Sequence, residues 1–536
     1  MFNTRRNTLG LFTLGIGFLS VCGYTPAAEN LSFDSFLDEL QKQPPAHVRY
    51  FIGGSGVSPY TVFINNESIV PLLKNSYSPK DIDALTAATD ATRRINVTKR
   101  PWGTFIQAAA FATEDMGEAT NYDAIWVRDS VWGYLALRSD VKSEATAREV
   151  LLTLLDYMAT PAQRSRMDAA IKNPAILDAD DGQMQAVHIR FNSQSESFDD
   201  VQEKGVPQPW THKQNDALGL LLDAALKGIG ENFIKVDDLL NNNRLDAIIR
   251  LYAYLDAIRY YEMEDSGAWE EAARLNTSSV ALVTSSFENL KNSLQTESPF
   301  SKAFAEQARS VGLAKIVGKE YLDDIIDKGY SRIRKQLALG GESPDYPAGD
   351  PHYRESDAAL LNLVYPAVLS RLGTKDKRTV MEQVAPLAGS HGIRRYFNDD
   401  YQAANFWFHD IKTDTDEKSM EERRKNYIAG SEAQWFFDSW YAKAWLMLYK
   451  ESGDQADLVR AVKYANRAFG QITGKRNGTA MLGADGKYAL EPALPESYNF
   501  IVHDGEMHPA PSPINPLNWA KASLTLMLEE FAAAGP

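Results

Sequence analysis

Residues 121–137 read "NYDAIWVRDSVWGYLAL", and their order points to the kind of fold the chain must build. Trp126, Arg128 and Asp129 crowd together just ahead of an apolar run whose spacing predicts a helix. Asp129 stands where a carboxylate can cap a helix N-terminus. The same Arg–Asp pair, with a tryptophan beside it, also suits sugar binding, because it offers fixed donors and acceptors under a flat ring. This stretch alone leaves both readings open.

Five more stretches set polar and aromatic residues against helical patterns. "PWTHKQNDALGLLL" (209–222) places Trp210, Lys213, Gln214 and Asp216 at the mouth of the next predicted helix. "GAWEEAARLNTSSVAL" (267–282) offers Trp269, Glu270 and Glu271, a glutamate pair that alone reads as solvated charge. "GIRRYFNDDYQ" (392–402) brings Arg395, Asp399 and Tyr401. "LPESYNF" (494–500) supplies Glu496, and "NPLNWAKASL" (515–524) follows with Trp519.

From about residue 79 the chain is a series of apolar stripes at helical spacing, "ESDAALLNLVYPAVLSRL" (355–372) among them. No self-similarity of tetratricopeptide or HEAT length interrupts it. Consecutive helices of unequal length, joined by long loops, suggest paired hairpins closing on themselves. Upstream, "VRYFIGGSGVSPYTVFINN" (48–66) predicts short strands around a glycine-rich turn, with no phosphate-loop spacing.

Composition narrows the partners. The 536-residue chain carries a net charge of −15 without a basic block, which argues against nucleic acid and anionic membranes. Ten tryptophans suit a cleft lined with flat rings and an uncharged ligand. Cys22 is the only cysteine, so a disulfide, a zinc–thiolate site and a cysteine nucleophile are all excluded from the mature fold. His503, Asp504, Glu506 and His508 in "VHDGEMH" (502–508) do not have the spacing of a helical zinc motif. No metal and no cofactor are expected.

Residues 1–28 read as an export signal: Arg5 and Arg6, an apolar run from Leu9 to Val21, then small residues. The run is too short for a membrane span. The arginine pair resembles a twin-arginine signal without its usual phenylalanine, and Sec export is the alternative. "LSVCG" resembles a lipoprotein cleavage site that would leave Cys22 as a lipid anchor; cleavage after Ala27 is the rival. The expected destination is periplasmic or secreted.

Taken in order, "AIWVRDSVWGYLAL", "WTHKQNDALGLLL", "GAWEE", "GIRRYFNDDY" and "NPLNWAKASL" resemble glycoside hydrolase family 15, the glucoamylase-like enzymes. The likeness is nearest to the glucoamylase-like N-terminal domain of the phosphorylase kinase α and β subunits, and it spans about residues 100–530. It implies an all-α fold, an (α/α)6 toroid of six helical hairpins with the active site in a funnel of loops. A small mixed N-terminal extension (29–95) would pack on the catalytic domain (96–536). The resemblance makes Glu270 the general acid and Glu496 the general base. It gives substrate binding to Trp126, Arg128, Asp129, Trp210, Gln214, Asp216, Trp269, Glu271, Arg395, Asp399 and Trp519.

Glycoside cleavage with inversion needs two such carboxylates, one to protonate the leaving oxygen and one to activate water. Glu271, next to the acid, would act as a like charge that favours its protonated form. The chain departs from the family at Ser497, where glutamine is frequent, and at His212-Lys213-Gln214. The expectation is a monomeric, exo-acting, inverting α-glucoside or α-glucan hydrolase. Its rivals are a non-catalytic carbohydrate-binding or regulatory protein of the kinase-subunit type and a phosphorylase on a similar toroid. The phosphorylase would have no use for the base at Glu496.

Overall fold

The computed structural model describes residues 31–109, 122–408, 415 and 417–535. The export signal and Cys22 lie outside the described residues. Six elements ring a common axis, each packed on the next. They are the helices Val127–Arg138, Asn215–Gly230 and Thr277–Gln295, the 3₁₀ helix Ala358–Leu363, and the helices Asp438–Ser452 and Asn518–Ala534. The last closes back on the first. An outer layer backs them in the same order: Glu144–Met158, Arg244–Ala257, Lys319–Leu339, Thr374–Val384, Gln455–Gly470 and, against the sixth inner helix, Pro79–Ala88. The chain is an (α/α)6 toroid, the all-α class its motifs imply.

Burial explains the two kinds of helix. The second inner helix, Asn215–Gly230, is enclosed on all sides and buries almost every residue. The outer helix Lys319–Leu339 buries one stripe (Leu322, Ile325, Ile326, Tyr330 and Ile333 on it) and leaves its charges in water. The second and third inner helices meet backbone to backbone at Gly219. A Cβ there would stand 2.7 Å from the Val283 amide nitrogen, so only glycine fits.

The fourth inner position departs from the predicted helix over 355–372. Only Ala358–Leu363 is helical, begun by the Asp357 carboxylate accepting from the Ala359 amide at 2.8 Å. Pro366 has no N–H to donate and its ring disfavours helix in the residues before it, so the stripe cannot continue.

The axis of the toroid is filled, not open. Trp132 packs edge-on against Trp440 at 5.0 Å and stacks on Trp519 at 5.6 Å, closing the barrel below the loops. Near the N-terminus, His47–Phe51 pairs antiparallel with Tyr60–Ile64 around the predicted glycine-rich turn and lies on the outer helix Gln455–Gly470. A second hairpin, Ser497–His503 with Glu506–Pro511, begins one residue after Glu496. Its first strand also pairs with Gln434–Trp435, and the helix Phe33–Lys42 packs Phe36 and Leu37 against Ile501 and Ala510 beneath it. Glu496 is therefore fixed from both sides.

Candidate active site

A cavity of about 100 Å3 opens at one end of the toroid, walled by residues of the stretches 121–137, 209–222, 267–282, 392–402, 494–500 and 515–524. Trp126, Arg128, Asp129, Trp210, Trp269, Glu270, Glu271, Arg395, Glu496 and Trp519 all line it. Gln214, Asp216 and Asp399 do not reach it; they stand behind its arginines.

The first inner helix begins at Val127 with Trp126 as N-cap and no side-chain capping bond, so Asp129 is not a cap. It lies in the first turn, where the helix dipole favours a carboxylate. Burial outweighs the neighbouring Arg128 and, with Glu270 close by, raises its pKa to about 7. Arg128 is held from behind. Nε donates to Asp216 at 2.7 Å, and Nη2 donates to the Gln214 side chain and to the Gly267 carbonyl at 3.1 Å. Its remaining Nη1 donates to Glu270 Oε1 at 3.3 Å. Of the divergent triplet 212–214, only Gln214 bears on the site, while His212 is stacked on His188 at 3.7 Å in the interior.

Glu270 follows the 3₁₀ turn Gly267–Trp269 and sits at φ 59°, in the left-handed region. A non-glycine residue there costs roughly 1–2 kcal/mol, a strain the surroundings must hold. This kink sends the two adjacent glutamates to different partners. Glu270 Oε2 accepts from Trp210 Nε1 at 2.7 Å. The Arg190 guanidinium lies 3.7 Å from the centre of the Trp210 ring and fixes the indole.

Glu271 instead faces arginines. Arg395 donates to Oε1 at 2.9 Å and Tyr396 at 2.5 Å, with Arg274 and Arg354 3.5 and 3.6 Å from Oε2. Burial pushes its carboxyl up, but the three guanidinium groups prevail and hold it at about 2. Glu271 is thus a carboxylate balanced by cations. Arg395 is itself gripped by both oxygens of Asp399, at 2.7 and 2.6 Å, and packs among the rings of Trp269, Tyr401 and Trp435.

Glu496 is almost fully buried. Tyr122 donates to Oε1 at 2.7 Å and Gln402 to Oε2 at 2.5 Å. Burial raises its pKa to about 7 against the lowering effect of these two donors and of Arg395, with Asp129 adding to the rise. Gln402 meets the departure at position 497. Ser497 donates to Gln402 Oε1 at 2.9 Å and Asn499 at 3.2 Å, so the amide is oriented to present its nitrogen to the carboxylate.

Tyr122, Gln402, Tyr396 and Asp357 are the contributors that sequence reasoning missed. Tyr122 and Gln402 sit inside the quoted stretches, at their ends, where no periodicity singles them out. Asp357 accepts from Trp269 Nε1 at 2.8 Å and holds that ring against the wall.

No family model matches the chain. Over 207 residues it is 46% identical to the uncharacterized lipoprotein YgeQ of Escherichia coli K12, covering 39% of this chain and 78% of that one. Over 99 residues it is 46% identical to the protein YgeP of the same organism, covering 18% of this chain and all of that one. The chain belongs to the family of YgeQ and YgeP. Among solved structures, a glucoamylase from Saccharomycopsis fibuligera shares the fold with a TM-score of 0.51. That match has 12% identity over 86% of this chain and 97% of that one, so the likeness is one of fold. The chain thus has a glycoside hydrolase-like architecture; the likeness to phosphorylase kinase subunits rests on sequence motifs alone.

Proposed function

We propose that the chain is an exported, exo-acting α-glucoside or α-glucan hydrolase that releases terminal glucose with inversion. One observation carries the reading: Glu270 and Glu496 line the same cavity, together with the aromatic and Arg–Asp groups suited to a sugar. In this reading Glu270 protonates the leaving oxygen as the bond from the anomeric carbon breaks. Glu496 takes a proton from the water that attacks the opposite face. Arg128 Nη1 and Trp210 Nε1 each donate to one oxygen of Glu270 and fix the carboxyl in the cavity. Tyr122 and Gln402 hold the Glu496 carboxylate in one orientation toward its water.

Exo-action is supported by the filled axis. Trp132 and Trp440 plug the barrel beneath Trp519, so only the end of a chain can enter. For location, the twin arginines support export, and kinship with a protein named a lipoprotein favours Cys22 as a lipidated residue over cleavage after Ala27.

The test is a panel of α-glucosides offered to the wild type and to Glu270→Gln and Glu496→Gln. Each variant is expected to lose about 10²–10⁴-fold in turnover. Unimpaired glucose release by either would refute the acid–base assignment. Tight sugar binding without release by the wild type would support the non-catalytic alternative.

A further inference from the structure

A second cavity, of about 410 Å3, adjoins the first, and Glu271 and Arg423 line both. Its inner wall holds two arginines, Arg274 and Arg354, that face Glu271 and the buried Asp357 without a close ion pair to either. Arg274 is 5% exposed, yet among the described residues its guanidinium makes no hydrogen bond, and its Nε is buried without a partner. Its ion pair with Glu271 is 3.5 Å long. Arg354 reaches the same carboxylate oxygen only at 3.6 Å. Its Nη1 is taken by the Pro351 and Tyr353 carbonyls and its plane stacks on Tyr396 at 3.8 Å, while its Nε is also unpartnered.

Charge-assisted pairs normally close to about 2.7–2.9 Å. Glu271 accepts from Arg395 and Tyr396 at such distances on Oε1, whereas Oε2 stands 3.5 and 3.6 Å from Arg274 and Arg354, so neither guanidinium is closed onto it. The other acids of this cavity are engaged elsewhere or lie at its rim. Asp350 accepts from His352, Asp400 faces Arg423 and Arg424, and Glu355 is exposed to solvent. Burying an arginine without hydrogen bonds is costly unless a partner arrives. The planar guanidinium forks of these two arginines match a carboxylate, phosphate or sulfate.

We propose that the second cavity binds an oxyanion carried on the leaving-group side of the glycoside, with Arg274 and Arg354 as its ligands. The glycoside part rests on the hydrolase reading; the anion site rests on the arginines alone. The preferred substrate is then an α-glucoside whose aglycone bears a negative group, in place of a plain neutral glucan.

Maltobionate and maltitol test this, since both are α-glucosyl derivatives of similar size and only maltobionate carries a carboxylate. Binding is measured by calorimetry on the full chain carrying Glu496→Gln, at constant ionic strength, with inorganic phosphate as a third ligand. Maltobionate is expected to bind about tenfold or more tightly than maltitol, the scale of one charged hydrogen bond. Arg274→Gln or Arg354→Gln should abolish that preference, read as the ratio of maltobionate to maltitol affinity within each variant. Arg354, on a partly exposed loop, keeps the test available if the Arg274 variant does not fold.

Equal affinity for the two glycosides would overturn the proposal, whether or not phosphate binds, because phosphate binding alone would assign the cavity to a free anion. A preference that survives both substitutions would overturn it as well. Hydrolysis is scored separately on the wild type. Cleavage with no anion preference refutes only the second site, whereas anion preference with no cleavage refutes only the hydrolase.

Discussion

Replacing Glu496 by glutamine should remove activity and raise stability together, and the size of the second effect follows from burial. The carboxyl is shifted from the ordinary 4.5 to about 7 in the folded chain. A raised carboxyl pKa means the fold resists ionisation, so the group destabilises the folded state as pH rises from 4.5 through 7. At pH 8 the difference of about 2.5 units corresponds to about 3 kcal/mol, and at pH 5 to under about 1 kcal/mol. Glutamine avoids this cost if its amide fits. Oε1 can accept from Gln402, and Nε2 can donate to Tyr122, whose own proton turns to Tyr401 Oη at 3.3 Å. For a chain of this length about 3 kcal/mol is a rise in Tm of roughly 3 °C. Calorimetric melting of wild type and Glu496→Gln at pH 8 and pH 5 measures it. A gain at pH 8 that shrinks at pH 5 supports the burial argument. An equal shift at both, or a loss at pH 8, refutes it.

The same raised carboxyl sets the pH dependence of catalysis: kcat/KM should fall below about pH 7, where Glu496 takes up its proton. Tyr122→Phe removes a donor that lowers this pKa, so the acid limb should move to higher pH in a pH–rate profile. Glu271→Gln should destabilise the fold by about 3 kcal/mol at neutral pH, because it leaves the arginine cluster unbalanced. The Glu271 carboxyl is depressed, so its contribution is present above its ordinary pKa of 4.5 and lost as pH falls toward about 2; denaturation at pH 7 and pH 3 should show the deficit shrinking. Gly219→Ala should cost about 1–3 kcal/mol by forcing apart the second and third inner helices, read as a lower denaturant midpoint.

The inner helices were legible because enclosure on all sides demands apolar residues throughout, and strings such as "NDALGLLLDAALKGI" show it. The outer helix Lys319–Leu339 escaped notice because solvent claims most of its surface and dilutes the apolar stripe with charge. The stripe at 355–372 misled in the opposite sense, since its apolar residues fill the fourth inner position while Pro366 forbids a long helix. In the cavity, the quoted stretches exposed most of the residues that line it, while Trp435, Phe436, Phe437 and Arg423 lie outside them. Their supports were harder to see, because support is a tertiary relation: Gln402 reaches Glu496 across 94 positions of sequence, and Tyr122 across 374. The division of labour between Glu270 and Glu271 depends on one left-handed φ, which spacing does not encode.

The most direct test of the central claim is the anomeric form of the first glucose released, followed by proton NMR during cleavage of an α-glucoside. With Glu270 as acid and Glu496 as base acting on water, β-glucose should appear first and then mutarotate. Initial release of α-glucose, or no glucose from any α-glucoside, would contradict the account.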